Sequence, residues 1–474
     1  MNKRWWALAA VTLGTFMTYL DNNVVNVALP TIQREMGLTL SGLEWIASGY
    51  ILVFAGLMLV GGRLADVFGA RRIFMIGLVV FTAASLAAGL AGSGAALIAA
   101  RAVQGVGAAL LTPTSLALIS RSFPDARERG TAVGIWTAAG ALSMALGPLT
   151  GGFISENWHW GWIFLINVPI GVGTLALGTW ALPDIRDRVR RSLDLPGLIS
   201  SAIALFALTF ALIEGEGTGW TSAPILAAMV VTVVAAAVFV VVERRGTEPM
   251  IDLSLFRDRV FGGGALAMGL WSFGVFGIYF FSALWLQNVL GFTPTQAGAS
   301  FVPMALTMGV VSVLSQRIAG VLGAGRTVAI GLALMAVAIF ALSRPGAGAD
   351  YGAILPWFLV YAVGGGLLVP LTAVILGALP DGRAGVASGV LNVSREVFGL
   401  LGITVMGAIL TARQAAGIAG GAAPLDAFLD GYQFTLALAA VVVLLGVPIG
   451  LVALRASTTP TPEEEPRTPA SAGV

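Results

Sequence analysis

The chain has no cysteine, a single histidine (His159) and a single lysine (Lys3) among its 474 residues. Each scarcity closes off a chemistry. Without cysteine there is no disulfide, thiolate site or iron–sulfur cluster. One histidine cannot build a histidine-rich metal site, and His159 reads as a polar residue in an external loop. A phosphate-binding G-x-x-x-x-G-K-[ST] loop needs a lysine within the chain, so ATP hydrolysis is not expected. Charge is also scarce. Asp, Glu, Lys and Arg together make up 11%, against about 25% in soluble proteins. With 57% hydrophobic residues, such a chain cannot clothe itself in water and reads as an integral membrane protein. The 62 glycines fit that reading, because small residues let transmembrane helices approach closely.

Apolar stretches long enough to cross a bilayer recur along the whole chain. They run over 5–29, 43–62, 73–92, 95–119, 131–155, 161–182, 196–214, 223–242, 261–285, 296–316, 327–343, 352–376, 385–411 and 433–454. The start, Met-Asn-Lys-Arg before an apolar run, resembles a signal peptide, but the run is too long and lacks an A-x-A site, so it reads as a first span. Fourteen spans put both termini on one side. If that side is cytoplasmic, 21 of the 26 basic residues lie inside and only Arg34, Arg344 and Arg413 outside. This is the asymmetry the positive-inside rule requires.

The chain also repeats itself. R-G-T-A-V-G at 129–134 parallels A-G-V-A-S-G at 384–389, and the same offset of 255 carries Gly147 onto Gly402. R-L-A-D-V-F-G at 63–69 parallels R-I-A-G-V-L-G at 317–323, at an offset of 254. Parallel repeats of this kind build two pseudo-symmetric halves. The expected fold is therefore all-α, with 14 transmembrane helices in two six-helix bundles plus two inserted helices. The expected divisions are an N-terminal bundle over 1–183, a linker with the two extra helices over 184–260, a C-terminal bundle over 261–456, and a Pro-, Thr- and Glu-rich tail over 457–474 expected to be disordered.

Within this apolar background a few residues stand out. Asp21 is the only charged residue between Trp5 and Pro30. A carboxylate at that depth costs about 2.5–3.5 kcal/mol on insertion scales, and such residues point to function by default. Arg101 lies inside span 4 at a depth similar to that of Asp21, roughly 10–14 Å below the outer surface at 1.5 Å per residue. Two unpaired charges there are costly, so the two are expected to pair or share a network. Gln104 lies on nearly the same face as Arg101. Asn22 and Asn26 share a face of span 1 and either line a cavity or bond a neighbouring helix. In span 13, Glu396 lies near mid-membrane with Asn392 four residues before it. The open readings are a second proton site, a counter-charge for a cationic substrate, neutralisation by the adjacent Arg395, or a carboxyl kept protonated by burial. Those two neighbours point about 100° apart, so direct pairing is expected to be imperfect. Span 9 is aromatic. Trp271, Phe276 and Tyr279 are candidates for a lipophilic cavity wall, while most of its rings are expected to meet helices or lipid.

Five local patterns in combination resemble the fourteen-span drug:proton antiporter family of the major facilitator superfamily. L-D-N-N-V-V-N-V-A-L-P at 20–30 is similar to the family's span-1 signature. G-R-L-A-D-V-F-G-A-R-R at 62–72 is similar to the superfamily's cytoplasmic loop signature. R-A-V-Q-G-V-G-A-A at 101–109 falls in span 4, and G-A-L-S-M-A-L-G-P-L-T-G-G at 140–152 looks like the antiporter signature of span 5. W-H-W-G-W-I-F-L-I-N-V-P-I-G at 158–171 resembles a signature of the fourteen-span branch, with its Trp cluster suited to an interfacial belt. N-V-S-R-E-V-F-G-L-L-G at 392–402 departs from the family's pattern, with Glu396 where Gln is common.

The resemblance implies a proton-coupled exporter of amphipathic or antibiotic-like small molecules in the cell membrane, with both termini cytoplasmic. It is not expected to be an enzyme, to need a cofactor or to bind nucleic acid, and it is expected to act as a monomer in the lipid bilayer. Asp21, Arg101 and Glu396 are the proton-coupling candidates. Asn22, Asn26, Gln104, Asn392, Trp271, Phe276 and Tyr279 are the cavity candidates. Gly62, Asp66, Gly69, Arg71 and Arg72 form a latch, with Asp66 expected to pair with an arginine or a helix end. Gly140, Gly147, Pro148 and Gly151 are expected to pack against the other half. Two alternatives stay open: a transporter of a specific metabolite such as a sugar, lipid or siderophore, and a non-transport membrane sensor.

Overall fold

The computed structural model describes residues 3–183, 194–246, 251, 253–346, 348–377 and 384–454. The charged linker at 184–193 and the tail from 455 onwards lie outside the described residues. Every regular element among the described residues is helical. The first seven are α1 (Lys3–Met36), α2 (Leu40–Phe68), α3 (Ala70–Gly89), α4 (Gly94–Ser122), α5 (Ala126–Asn157), α6 (Trp162–Leu165) and α7 (Asn167–Ala181). Next come α8 (Leu195–Thr218) and α9 (Ala223–Arg245). After a short 3₁₀ turn follow α10 (Arg259–Asn288), α11 (Pro294–Ser300), α12 (Val302–Leu322), α13 (Ala324–Leu342), α14 (Tyr351–Gly366) and α15 (Pro370–Gly377). The last are α16 (Ala384–Ala419), α17 (Pro424–Leu444) and α18 (Gly446–Ala453).

The helix ends follow from capping chemistry. Ser93, Asp125, Asp258, Thr293 and Asp350 each accept a backbone N–H of the helix they precede, satisfying donors the helix leaves over. Four apolar stretches that read as single spans are broken in the structure, and proline accounts for each break. The chain leaves the helix at 166, 301, 367–369 and 445, one to three residues ahead of Pro169, Pro303, Pro370 and Pro448. A proline lacks the N–H for the carbonyl four residues back and crowds the residue before it. At 367–369 the run Gly364-Gly365-Gly366 adds its own cost to helix continuity.

Twelve helical stretches among the described residues are long and apolar enough to span a membrane. They pair α6 with α7, α11 with α12, α14 with α15 and α17 with α18. The long α1 and α5, of 34 and 32 residues, fall outside that set; α1 carries Thr15, Thr18, Asp21, Asn22, Asn23 and Asn26 across its middle.

Helices α1 to α7 pack among themselves, as do α10 to α18, while α8 pairs with α9 and leans on α2 and α16. The sequence repeat is also structural. Gly69 (φ 93°) and Gly323 (φ 83°) turn α2 into α3 and α12 into α13, 254 residues apart, at a backbone angle L side chains avoid. Gly147 of α5 lies on Asn23 of α1, and its repeat partner Gly402 of α16 lies on Phe273 of α10. Residues such as Val230, Val233, Val234 and Val241 leave α9 apolar on its exposed surface, the surface a bilayer demands.

Candidate functional site: a buried charge network beside an aromatic cavity

Asp21 and Arg101 form an ion pair inside the N-terminal group of helices, and both side chains are fully buried. The pair is one edge of a larger network. Asp21 Oδ1 accepts from Gln104 Nε2 (3.1 Å) and from Asn167 Nδ2 (2.8 Å). Arg101 donates from Nη1 to Gln104 Oε1 (3.0 Å) and from Nε to the Ile46 carbonyl (3.2 Å). Gln104 also donates to Ser85 Oγ (2.8 Å). Five helices thus meet in one network: α1 brings Asp21, α2 the Ile46 carbonyl, α3 Ser85, α4 Arg101 and Gln104, and α7 Asn167. Arg101 Nη2 has no hydrogen-bond partner, but its guanidinium lies 4.3 Å from the Tyr50 ring centroid and 5.7 Å from that of Phe164, a cation–π arrangement. Neutralised and hydrogen-bonded in this way, two charges tolerate a dry interior that neither tolerates alone.

On the other side of α1 a cavity opens between the two groups of helices. Thr18, Tyr19, Asn22, Asn23 and Asn26 of α1 line one wall, with Tyr50 and Phe54 of α2. Trp271, Val275, Phe276 and Tyr279 of α10, with Arg395 and Glu396 of α16, line the other. Trp271 Nε1 and Tyr279 Oη are buried without hydrogen-bond partners. Each aromatic wall therefore offers a polar atom as well as a face. Tyr50 stands in both places: it lines the cavity, it lies under Arg101, and its hydroxyl donates to the Thr18 carbonyl (3.5 Å). It is the partition between charge network and cavity.

The structure sorts the sequence candidates. Asp21 and Arg101 come together. Gln104, expected at the cavity, joins their network instead. Asn22, Asn26, Trp271, Phe276 and Tyr279 line the cavity. Asn392 does not; its amide donates to the Ser388 carbonyl of its own helix (2.9 Å). Glu396 is held by Arg395 despite the adjacency of the two on the helix, with Nη2 and Nε donating to Oε1 at 2.6 and 3.1 Å. The long arginine side chain curls back, which cancels the formal charge on that wall. Arg395 reaches on to Tyr19 Oη at 3.4 Å, joining α16 to α1.

The glycines of α5 need a correction. Gly147 and Gly151 press on Asn23 and Val24 of α1, and Gly140 lies near Tyr19 of the same helix. They seal α5 to its own group rather than to the other. Contact with the other group is made by Gly152, whose Cα faces the Pro294 carbonyl, and by the Pro148 carbonyl, which faces Gly298 of α11. At the α2–α3 turn, Arg71 donates to the Thr179 carbonyl (2.6 Å). Gly69 makes the turn, Gly62 lies beside Pro113, Arg72 is solvent-facing, and the side chain of Asp66 lies outside the described residues. Trp158 and Trp162 are exposed as a belt requires, whereas Trp160 is buried. His159 lies 3.8 Å from Glu35 near the end of α1.

On the membrane face away from Lys3, here called the distal face, several contacts bind the two groups together. The Thr295 N–H donates to Glu156 Oε2 (3.0 Å) and Gln287 Nε2 to the Val27 carbonyl (2.8 Å). Gly407 of α16 touches the carboxyl of Glu44 in α2. Closer to the other face Gly389 lies against Leu59.

A family model described as Major Facilitator Superfamily matches residues 11–403, a segment that contains every residue of the network and the cavity. The chain belongs to the Major Facilitator Superfamily. Among similar proteins is the multidrug resistance protein Stp of Mycobacterium tuberculosis, 37% identical over 412 residues, covering 85% of this chain and 75% of Stp. The methylenomycin A resistance protein of Streptomyces coelicolor is 39% identical, covering 85% of each chain. The cephamycin export protein CmcT of Amycolatopsis lactamdurans is 37% identical, covering 96% of this chain and 94% of its own. A peptide transporter crystallised with sulfate shares the fold, with a TM-score of 0.70 at 16% identity over 95% of both chains.

Proposed function

We propose that the protein is a proton-coupled antiporter that exports amphipathic, antibiotic-like small molecules by alternating access. The observation that carries this is the placement of a buried, hydrogen-bonded carboxylate on one side of α1 and a neutral, aromatic and amide-lined cavity on the other. One helix, with Tyr50 beside it, touches both the coupling ion and the cargo. The resistance and export names of relatives at 37–39% identity support drugs as the cargo over a sugar or lipid. The arginine-rich loops support a cytoplasmic N-terminus, which makes the distal face the outer one. In this reading α1 and α5 complete fourteen spans. The bundles comprise 1–183 and 261–456, and α8 and α9 are the inserted pair.

The chemistry follows from the network. Open to the outside, Asp21 takes a proton and loosens its hold on Arg101. Turned inward, it gives the proton up and regains Arg101, Gln104 and Asn167 as partners, while cargo occupies the cavity. The membrane potential adds about 2.3 kcal/mol per charge per 100 mV to drive the cycle. Inverted membrane vesicles test the direction. Energised vesicles that contain the protein accumulate a lipophilic drug to which its expression confers resistance, and collapse of the proton gradient releases it. Accumulation unaffected by the gradient, or resistance to no compound of a broad panel, would count for the metabolite or sensor readings.

A further inference from the structure

The seam between α2 and α16 holds a carboxyl that the transport cycle above does not use. Glu44 lies about one turn into α2 and is 1% exposed. Its Oε1 has no hydrogen-bond partner, nor has the hydroxyl of Ser48, buried one turn further along the same face. Across the seam stands Gly407 of α16, where any side chain would overlap the Glu44 carboxyl.

The charged groups around it do not neutralise it. From α8 the facing group is Glu214, whose Oε1 accepts from Ser41 Oγ (2.9 Å) and Trp45 Nε1 (2.7 Å). Glu214 thus has the donors an anion needs, and Glu44 has none. From α4 comes Arg101, committed to Asp21 and the Ile46 carbonyl. From α1 comes Asp21, its partner. On α16, Arg413 lies 3.6 Å from Asp430, and Arg395 is held by Glu396 roughly 17 Å along the helix axis. The arginines of α3, Arg71 and Arg72, lie at its opposite end.

We propose that Glu44 is a gating proton site. Its carboxyl is protonated whenever α2 and α16 are closed on the outer side, and it ionises when that seam opens to external water. An ionised carboxylate with no donor and no cation in a dry seam costs several kcal/mol. A second carboxylate nearby adds to that cost, because two such groups do not both ionise at close range. Opening the seam removes the penalty. The proton is therefore taken up and returned on the same side, unlike the proton that Asp21 carries across. External acid favours closure, which is the movement needed once Asp21 is loaded. The proposal rests on the function proposed above only for naming the distal face as the outer one.

The absence of cysteine makes the test direct. Spin labels on Arg34→Cys and Ala419→Cys, both exposed at the outer face, report the separation of the two groups of helices in lipid nanodiscs. Measurements run from about pH 5.5 to about pH 9, where exposed carboxylates such as Glu156 stay ionised. The short distance dominates in acid, and the long one grows as pH rises, by up to about tenfold per pH unit for one linked proton. Glu44→Gln stays short at every pH, and Glu44→Ala, which leaves no amide to satisfy, also loses the pH response. Glu214→Gln moves the transition to lower pH. In Asp21→Asn the Glu44-dependent response persists, so failure of the Asp21 reading is distinguishable from failure of this one. A pH response in Glu44→Gln equal to that of the parent would overturn the proposal.

Discussion

Arg101 is held between one carboxylate, one amide, one carbonyl and two aromatic faces. Its removal should therefore be worse than removal of Asp21. Arg101→Ala leaves a buried carboxylate with hydrogen bonds from Gln104 and Asn167 but no counter-charge, and breaking such pairs costs about 3–5 kcal/mol. The expected outcome is a fall in folded protein, read from the monodisperse peak of a fluorescent fusion. Asp21→Asn combined with Arg101→Met removes both charges and should restore that peak without restoring export. If the double variant folds no better than Arg101→Ala alone, the ion pair is not what stabilises this core. Asp21 and Arg101 were legible in the sequence because a charge inside an apolar span is an outlier that has to be explained. Asn167 and Tyr50 were not. An asparagine near the start of a span looks interfacial, and a tyrosine in an apolar run looks like core; only three-dimensional packing brings α7 and α2 to the carboxylate. Glu44 was passed over for a related reason, since a charge at the very edge of a span reads as loop.

At the level of elements, hydropathy marked where the helices are but not where they break, because proline interrupts hydrogen bonding without lowering apolarity. Spacing had the same limit for the glycines of α5. The interval of Gly140, Gly147 and Gly151 showed that they share a face, yet it did not show which neighbour meets that face. Two adjacent residues now separate the two interfaces of α5. Gly151→Ala places a methyl against the Val24 backbone of α1, and Gly152→Ala places one against Pro294 of α11. Overpacking of this kind costs about 1–3 kcal/mol. Gly151→Ala should lower the melting temperature of the purified protein and leave the balance of open and closed states unchanged. Gly152→Ala should instead favour the outward-open state, by about 5- to 150-fold, seen as faster labelling of a cysteine introduced in the cavity. Equal effects of the two on labelling would refute the assignment of separate interfaces.

Across the whole molecule, the repeat was legible in the sequence, because it leaves matching turns at matching offsets. Gly69 and Gly323 show it in the backbone. The cavity between the parts was not readable, since its walls come from helices more than 200 residues apart and its neutrality depends on how Arg395 folds back on Glu396. The proposed cycle joins the parts: the proton carried by Asp21 is exchanged for cargo held in that cavity. Purified protein in liposomes, with a pH-sensitive dye inside and a transported drug added outside, tests it directly. Drug addition should move protons with the parent protein. Asp21→Asn should bind the drug with an affinity within a few-fold of the parent and move no protons. Undiminished drug-driven proton movement in Asp21→Asn would contradict the account.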